Sequence, residues 1–211
     1  MSDRRERLRS AVLYLVCDDR PQDFLEAALR GGVDVLQLRI KDAPDHAVLA
    51  AARRFRAACA RHGALFVLND RADLAVAAGA DGVHVGQDDM PVAAARQVVG
   101  SGRLLGLSTH SPAQVEAAVG VDYIGVGPVY ETPTKPGRPP VGLELVRYAA
   151  AHARVPFFAI GGIALENLAG VREAGAQRIA VVRALTDAPD PEATARALRA
   201  GLSAGAPVGS P

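Results

Sequence analysis

One pattern restricts the folds open to this chain more than any other. Short apolar, β-branched runs recur along it, and alanine-rich segments with helical spacing separate them. The runs are Val12–Val16, Val33–Leu38, Ala64–Leu68, Gly82–Val85, Leu104–Leu107, Tyr123–Val126, Pro156–Ile160 and Arg178–Val182, about eight candidate strands. Between them, Asp45–His62, Pro91–Val99, Pro112–Val119, Leu143–Ala153, Leu165–Ala174 and Pro191–Leu202 carry apolar or alanine residues three and four apart. Pro91, Pro112 and Pro191 stand where a first helical turn tolerates proline. Gly63, Gly79, Gly100, Gly120 and Gly175 stand where helices stop, and Ser111 is placed to cap the helix that Pro112 opens. Repeated strand–helix units imply a parallel sheet buried on both faces. Eight such units in 211 residues predict an α/β protein, a single-domain (β/α)8 barrel slightly below the usual size. An open doubly wound sheet would place a GxGxxG turn after the first strand; Cys17-Asp18-Asp19-Arg20 stands there instead. The expected limits are a basic tail over 1–10, the barrel over 11–203, and a Gly/Pro-rich disordered tail over 204–211.

Composition narrows the partners. The net charge is +1, so nothing drives the whole chain towards nucleic acid or an anionic membrane, and anion binding must be local. Tryptophan is absent and aromatics are 4%, which argues against base-stacking platforms. Cys17 and Cys59 form no CxxC pair, the usage of a reduced, cytoplasmic protein. Arg4, Arg5, Arg7 and Arg9 before Ala11–Cys17 mimic a short signal peptide, but no small-residue cleavage site follows. Val16 precedes Cys17 where lipid attachment wants a small residue, and no stretch approaches membrane-spanning length.

In a barrel, chemistry belongs at the C-terminal ends of the strands. The second strand ends Gln37-Leu38-Arg39-Ile40-Lys41. Residues two apart share a face, so Gln37, Arg39 and Lys41 look into the barrel mouth while Leu36, Leu38 and Ile40 face the helices. Two cations there need an anion, either barrel carboxylates or a phosphate or pyrophosphate group that takes the arginine fork and the lysine charge. The third strand ends Asn69-Asp70, and Gln87-Asp88-Asp89 follows the fourth. Asp70 with Asp89 suits Mg2+, which takes one or two carboxylates and completes its shell with water and phosphate; the alternative is that Asp88 or Asp89 caps the next helix. Ser108 ends the fifth strand, where it could bind phosphate or cap a helix. His84 reads as a satisfied core histidine, and no His/Cys cluster has zinc spacing. Thr132, Thr134 and Lys135 share the long loop after the sixth strand. Gly161-Gly162 after the seventh lets main-chain N–H groups approach an anion, and Arg183 follows the eighth. One anion site here and another at the second strand imply two phosphorylated groups.

Taken in order, Gln37-x-Arg39-x-Lys41, Asn69-Asp70, His84-x-Gly86-Gln87-x-Asp89, Gly106-x-Ser108, Gly127-Pro128 with Thr132-x-Thr134-Lys135, and Gly161-Gly162-Ile163 resemble the thiamine-phosphate synthase family, from about Tyr14 to Leu198. The resemblance implies a transferase that condenses hydroxymethylpyrimidine pyrophosphate with a thiazole phosphate, releasing pyrophosphate. It implies that Gln37, Arg39, Lys41, Asn69, Ser108 and Lys135 contact the pyrimidine substrate. It places Mg2+ on Asp70 and Asp89, and the thiazole phosphate near Thr132, Thr134, Gly162, Val182 and Arg183. Catalysis would rest on Arg39, Lys41, Ser108 and Lys135. Family members commonly carry serine where Arg183 stands, so Arg183 either adds charge through its side chain or binds only through its backbone. The alternatives are a thiazole tautomerase and a non-catalytic binding or regulatory protein of the thiamine pathway. Expected partners are these two small molecules, with a homo-oligomer open and no nucleic acid or membrane.

Overall fold

The computed structural model describes residues 4–132 and 139–203. Strands β1 (Leu13–Cys17), β2 (Val35–Leu38), β3 (Leu65–Asn69), β4 (Gly82–Val85), β5 (Leu104–Thr109), β6 (Tyr123–Val126), β7 (Phe157–Ile160) and β8 (Ile179–Val181) pair in parallel, in chain order. β8 returns to β1, with Leu13 opposite Ile179, and closes the barrel. Helix α1 (Arg4–Ser10) precedes β1. Helices α2 (Gln22–Arg30), α3 (Asp45–His62), α4 (Ala72–Ala77), α5 (Val92–Val99), α6 (Pro112–Glu116), α7 (Gly142–His152) and α8 (Leu168–Glu173) follow β1 to β7 in turn. Helices α9 (Arg183–Thr186) and α10 (Pro191–Ser203) follow β8. Ser111 caps α6 by accepting from Gln114 N–H at 3.3 Å, with Pro112 in the first turn.

Strand alternation sorts the interior into two cores. Leu13, Leu15, Leu36, Leu38, Val83, Val85, Leu105, Leu107, Ile124 and Val126 face the helices. Tyr14, Val16, Val35, Leu65, Val67, Leu104, Tyr123 and Phe158 fill the lumen. Ile40 packs against the outer core, so the second strand's two faces separate as its sequence indicates. Cys17 and Cys59 are buried free thiols.

The N-terminal end of the barrel is tied by a repeated device. The residue immediately before β2, β4 and β6 is Asp34, Asp81 and Asp122. Each carboxylate reaches back to the start of the preceding strand. Asp34 accepts from Val12 and Leu13 N–H at 2.8 and 3.0 Å, Asp81 from Phe66 N–H at 3.0 Å, and Asp122 from Leu105 N–H at 2.8 Å. Arginines complete each staple: Arg199 on Asp34 at 2.7 Å, Arg4 on Asp81 at 2.8 Å, Arg5 and Arg96 on Asp122 at 2.7 and 2.6 Å. Before β8 the corresponding residue is Arg178, whose Nε is buried without a partner among the described residues.

Two of those arginines come from α1, which corrects the reading of residues 4–10 as a tail. The segment folds because its arginines find strand-end carboxylates and backbone oxygens while Leu8, 2% exposed, packs against the lumen residues. Helices α2 and α4 were not singled out by the spacing. α4 is six residues long, too short for a periodic signal, and α2 buries only Leu25, Ala28 and Leu29. Residues 204–211 lie outside the described residues. No described helix is long and apolar enough to cross a membrane.

Candidate active site

Two clefts of opposite character open at the C-terminal end of the barrel, with a smaller cavity in the lumen below them. The polar cleft, about 280 Å3, is lined by Arg39, Lys41, Asn69, Asp70, Asp88 and Asp89 among others. The apolar cleft, about 320 Å3, lies over β6 to β8 and is lined by Thr132, Gly162, Val182 and Arg183 among others. The lumen cavity, about 80 Å3, is walled by Tyr14, Gln37, Tyr123 and Phe158. Ser108 borders all three, and His110 borders both clefts.

The polar cleft sets cations beside carboxylates. Neither the Arg39 nor the Lys41 side chain makes an ion pair or hydrogen bond to another described residue. Cations held at a barrel mouth without a protein partner are placed for an anionic ligand. Asp70 closes β3 with φ +60°, a left-handed conformation that aspartate tolerates better than most residues. Its N–H donates to His84 O at 2.8 Å, and Arg71 N–H donates to Asn69 O at 2.7 Å, so the chain turns sharply and leaves the Asp70 carboxylate in the cleft. Asp89 does not cap α5, whose N-cap is Pro91 with no side-chain hydrogen bond. Its carboxylate instead accepts from Gly86 N–H at 2.8 Å. Among the described residues no group of three or more His, Cys, Asp or Glu side chains is gathered as a metal cage. An all-oxygen pair beside a phosphate-sized cleft fits Mg2+, which keeps water and ligand oxygens in its shell, better than it fits zinc.

The apolar cleft offers main-chain donors. Gly161 and Gly162 adopt φ +104° and +66°, and a Cβ on either would meet the β6 loop, 2.5 Å from Pro128 or 2.8 Å from the Tyr130 side chain. Asn167 holds this turn: its Nδ2 donates to Gly162 O at 2.8 Å and its Oδ1 accepts from Ala164 N–H at 2.9 Å. The N–H groups of Gly162, Ile163, Arg183 and Ala184 find no acceptor among the described residues. The Arg183 side chain is exposed and unpaired among them.

In the lumen, Gln37 is 3% exposed, accepts from Tyr14 OH at 2.8 Å and donates through Nε2 to Asn69 Oδ1 at 2.7 Å. His84 bridges Ser108 Oγ and the Tyr123 hydroxyl at 3.0 and 3.2 Å. Gln87 Nε2 donates to Ser108 O at 2.7 Å. Burial pushes the Tyr14 and Tyr123 phenols upward, so both stay protonated.

The structure thus brings Gln37, Arg39, Asn69 and Ser108 around the lumen, with Lys41, Asp70 and Asp89 in the adjoining polar cleft. It brings Thr132, Gly162, Val182 and Arg183 around the apolar cleft. Thr134 and Lys135 lie outside the described residues. Sequence reasoning missed Tyr14, Tyr123, Gln87, His110 and Asn167. The available signal was a hydroxyl-bearing ring within two all-buried strands, since a buried phenol needs a polar partner.

The family described as thiamine monophosphate synthase matches residues 13–185. The chain is 53% identical to the thiamine-phosphate synthase of Acidothermus cellulolyticus, over 94% of this chain and 98% of that one. It is 50% identical to the thiamine-phosphate synthase of Thermosynechococcus vestitus, over 97% of this chain. It spans 59% and 58% of the length of the T. vestitus and Gloeobacter violaceus relatives. A solved thiamine phosphate pyrophosphorylase from Pyrococcus furiosus superposes with a TM-score of 0.85 at 32% identity, over 95% of this chain and 98% of that one.

Proposed function

The chain belongs to the thiamine monophosphate synthase family, and we propose that it condenses hydroxymethylpyrimidine pyrophosphate with 4-methyl-5-(2-phosphoethyl)thiazole, giving thiamine phosphate and pyrophosphate. The observation that carries this reading is the pair of clefts, one holding the Arg39 and Lys41 cations beside carboxylates, the other apolar with main-chain donors, meeting at Ser108. Two anionic substrates that must meet end to end need that arrangement. A thiazole tautomerase would need only the second cleft.

Arg39 would take the pyrophosphate with its fork and Lys41 with a point charge. Asp70 and Asp89 would hold Mg2+, which when bound neutralises charge growing on the leaving pyrophosphate. The bond from the pyrimidine methylene carbon to the pyrophosphate oxygen breaks, and its electron pair leaves with pyrophosphate. The thiazole nitrogen lone pair then forms the new carbon–nitrogen bond. No protein nucleophile takes part. The chain's work is to fix both substrates and keep water away from a methylene cation, and the floor of Tyr14, Tyr123 and Phe158 supports that role. Thiazole phosphate would sit on the N–H groups of Gly162 and Arg183, beside Thr132, Thr134 and Val182, while Lys135 would contact the pyrophosphate. We place the reaction in the cytoplasm.

The test mixes purified protein with both substrates and Mg2+ and follows thiamine phosphate and pyrophosphate by mass spectrometry. Product that disappears without Mg2+ and in Asp70→Ala supports the reading. Intact substrates with the unaltered protein and metal would sink it.

A further inference from the structure

Six side chains from six strands form one unbroken hydrogen-bonded file across the lumen. It runs from Ser108 Oγ to His84 Nε2 (3.0 Å), His84 Nδ1 to the Tyr123 hydroxyl (3.2 Å), and Tyr123 to the Tyr14 hydroxyl (2.9 Å). It continues from Tyr14 to Gln37 Oε1 (2.8 Å) and from Gln37 Nε2 to Asn69 Oδ1 (2.7 Å). Ser108, His84 and Asn69 line the polar cleft. Tyr14, Tyr123 and Gln37 are 2%, 0% and 3% exposed, and the hydrogen bonds of their side chains run to other members of the file.

The donor inventory fixes the direction of every link once one is fixed. A phenol has one proton, an amide oxygen only accepts, and an amide nitrogen only donates. Gln37 turns its oxygen to Tyr14, so the Tyr14 proton is committed there. The Tyr14 oxygen must then accept from Tyr123. With the Tyr123 proton committed in turn, its oxygen must accept from His84 Nδ1–H. Neutral His84 is left with a lone pair on Nε2, which the Ser108 hydroxyl proton fills. At the other end Asn69, its oxygen taken by Gln37, shows its NH2 group to the cleft that holds Arg39 and Lys41. The reverse direction would turn both amides over and set the Asn69 carbonyl oxygen against whatever anion those cations bind.

We propose that His84, Tyr123 and Tyr14 are positioning residues that lock the hydrogen-bonding polarity of the site: Ser108 meets a ligand only as an acceptor, and Asn69 only as a donor. A ligand group seated on Ser108 must therefore donate, as an amino group does and an oxo group does not. The group on Asn69 must accept, as a phosphate oxygen or ring nitrogen does. This last step rests on the aminopyrimidine pyrophosphate reading of the cleft; the polarity itself does not.

The test reads the His84 tautomer in the full chain by long-range nitrogen–proton NMR, at a pH well above the ordinary imidazole range, with no substrate added. The unaltered protein is expected to carry Nδ1–H. Tyr14→Phe removes a hydroxyl two links away from the imidazole. The Tyr123 proton then has only His84 Nδ1 to go to, and the tautomer should invert to Nε2–H, by about five- to tenfold in population for one hydrogen bond. A purely structural role for Tyr14 would alter melting and leave the tautomer alone. Nε2–H in the unaltered protein overturns the proposal, whether or not the variant folds, and so does an unchanged tautomer in folded Tyr14→Phe. Thiamine phosphate synthesis, measured on the same samples, separates the two claims. Product with the wrong tautomer removes the polarity lock and keeps the synthase reading, whereas the right tautomers without product do the reverse.

Discussion

Gly106 is a residue at which a single added methyl group should do heavy damage for its size. It lies on β5 with Tyr123 opposite on β6 and His84 on β4. A Cβ there would stand 2.2 Å from Tyr123 Cζ, 2.5 Å from the Tyr123 hydroxyl oxygen and 2.5 Å from His84 Nδ1. None of these atoms can retreat cheaply. Tyr123 is fully buried, packed edge-on against Phe158 at 5.8 Å and hydrogen-bonded to Tyr14. Overpacking a filled interior costs about 1–3 kcal/mol, and separating His84 from Tyr123 adds about 1 kcal/mol. Gly106→Ala should therefore lose about 2–4 kcal/mol. At about 2–4 °C per kcal/mol for a domain of this size, the melting temperature should fall by about 5–15 °C. Thermal unfolding followed by circular dichroism measures this directly. Tyr123→Phe keeps the Cζ contact and should not rescue the variant, whereas Tyr123→Leu should recover part of the loss in a double-mutant cycle. A fall of less than about 2 °C, below the bottom of that range, or an equal rescue by phenylalanine, would refute the steric argument.

Other perturbations probe other parts of the molecule. Asp122→Ala removes the acceptor of Leu105 N–H and of two arginines from a side chain only 9% exposed. It should cost about 3 kcal/mol, the scale of breaking a nearly buried charge cluster, read as a drop in the urea midpoint. The Arg61 guanidinium, then His62, holds the Glu26 carboxyl at about 2, below its usual 4.5. The ionised form is thus favoured by folding, and the contribution is whole above about 4.5 and disappears as pH falls towards about 2. Because these groups lie at the surface, Glu26→Gln should be less stable by no more than about 1 kcal/mol at neutral pH. That gap should close in the acid window; a gap that widens there contradicts the sign.

The parts of the site set by local spacing were open to reading from the chain, and the parts set by distant partners were not. The period-two face of Gln37, Arg39 and Lys41 needs only strand geometry, and the carboxylates Asp70 and Asp89 need only the rule that strand ends carry chemistry. Helix α1 could not be read, because an arginine-rich heptad looks solvated until Asp81 and Asp122, 77 and 117 residues away, supply its partners. His84 looks like a core histidine from sequence, but it is half-buried and lines the polar cleft. Its link to Ser108 and Tyr123 spans three strands and appears only when the barrel closes. Whether Asp89 caps α5 depends on where that helix begins, a boundary that spacing alone leaves loose by a residue or two.

Three corners of the barrel's lower rim are stapled by aspartate and the fourth is not, and this gives an otherwise symmetric cylinder a seam. At β8, Arg178 stands where an aspartate would tie the preceding strand, and its buried Nε has no partner among the described residues. The β7–β8 ladder registers only Ala159 with Ile179 and Ile160 with Ala180. Opening will begin where the fewest compensated groups must be broken. Amide hydrogens of β7 and β8 should therefore exchange through openings smaller than global unfolding, while those of β2 to β5 wait for the whole domain. The apolar cleft hangs on the yielding side of the cylinder and the polar cleft on the rigid side. If exchange follows that order, one half of the mouth should yield more readily than the other.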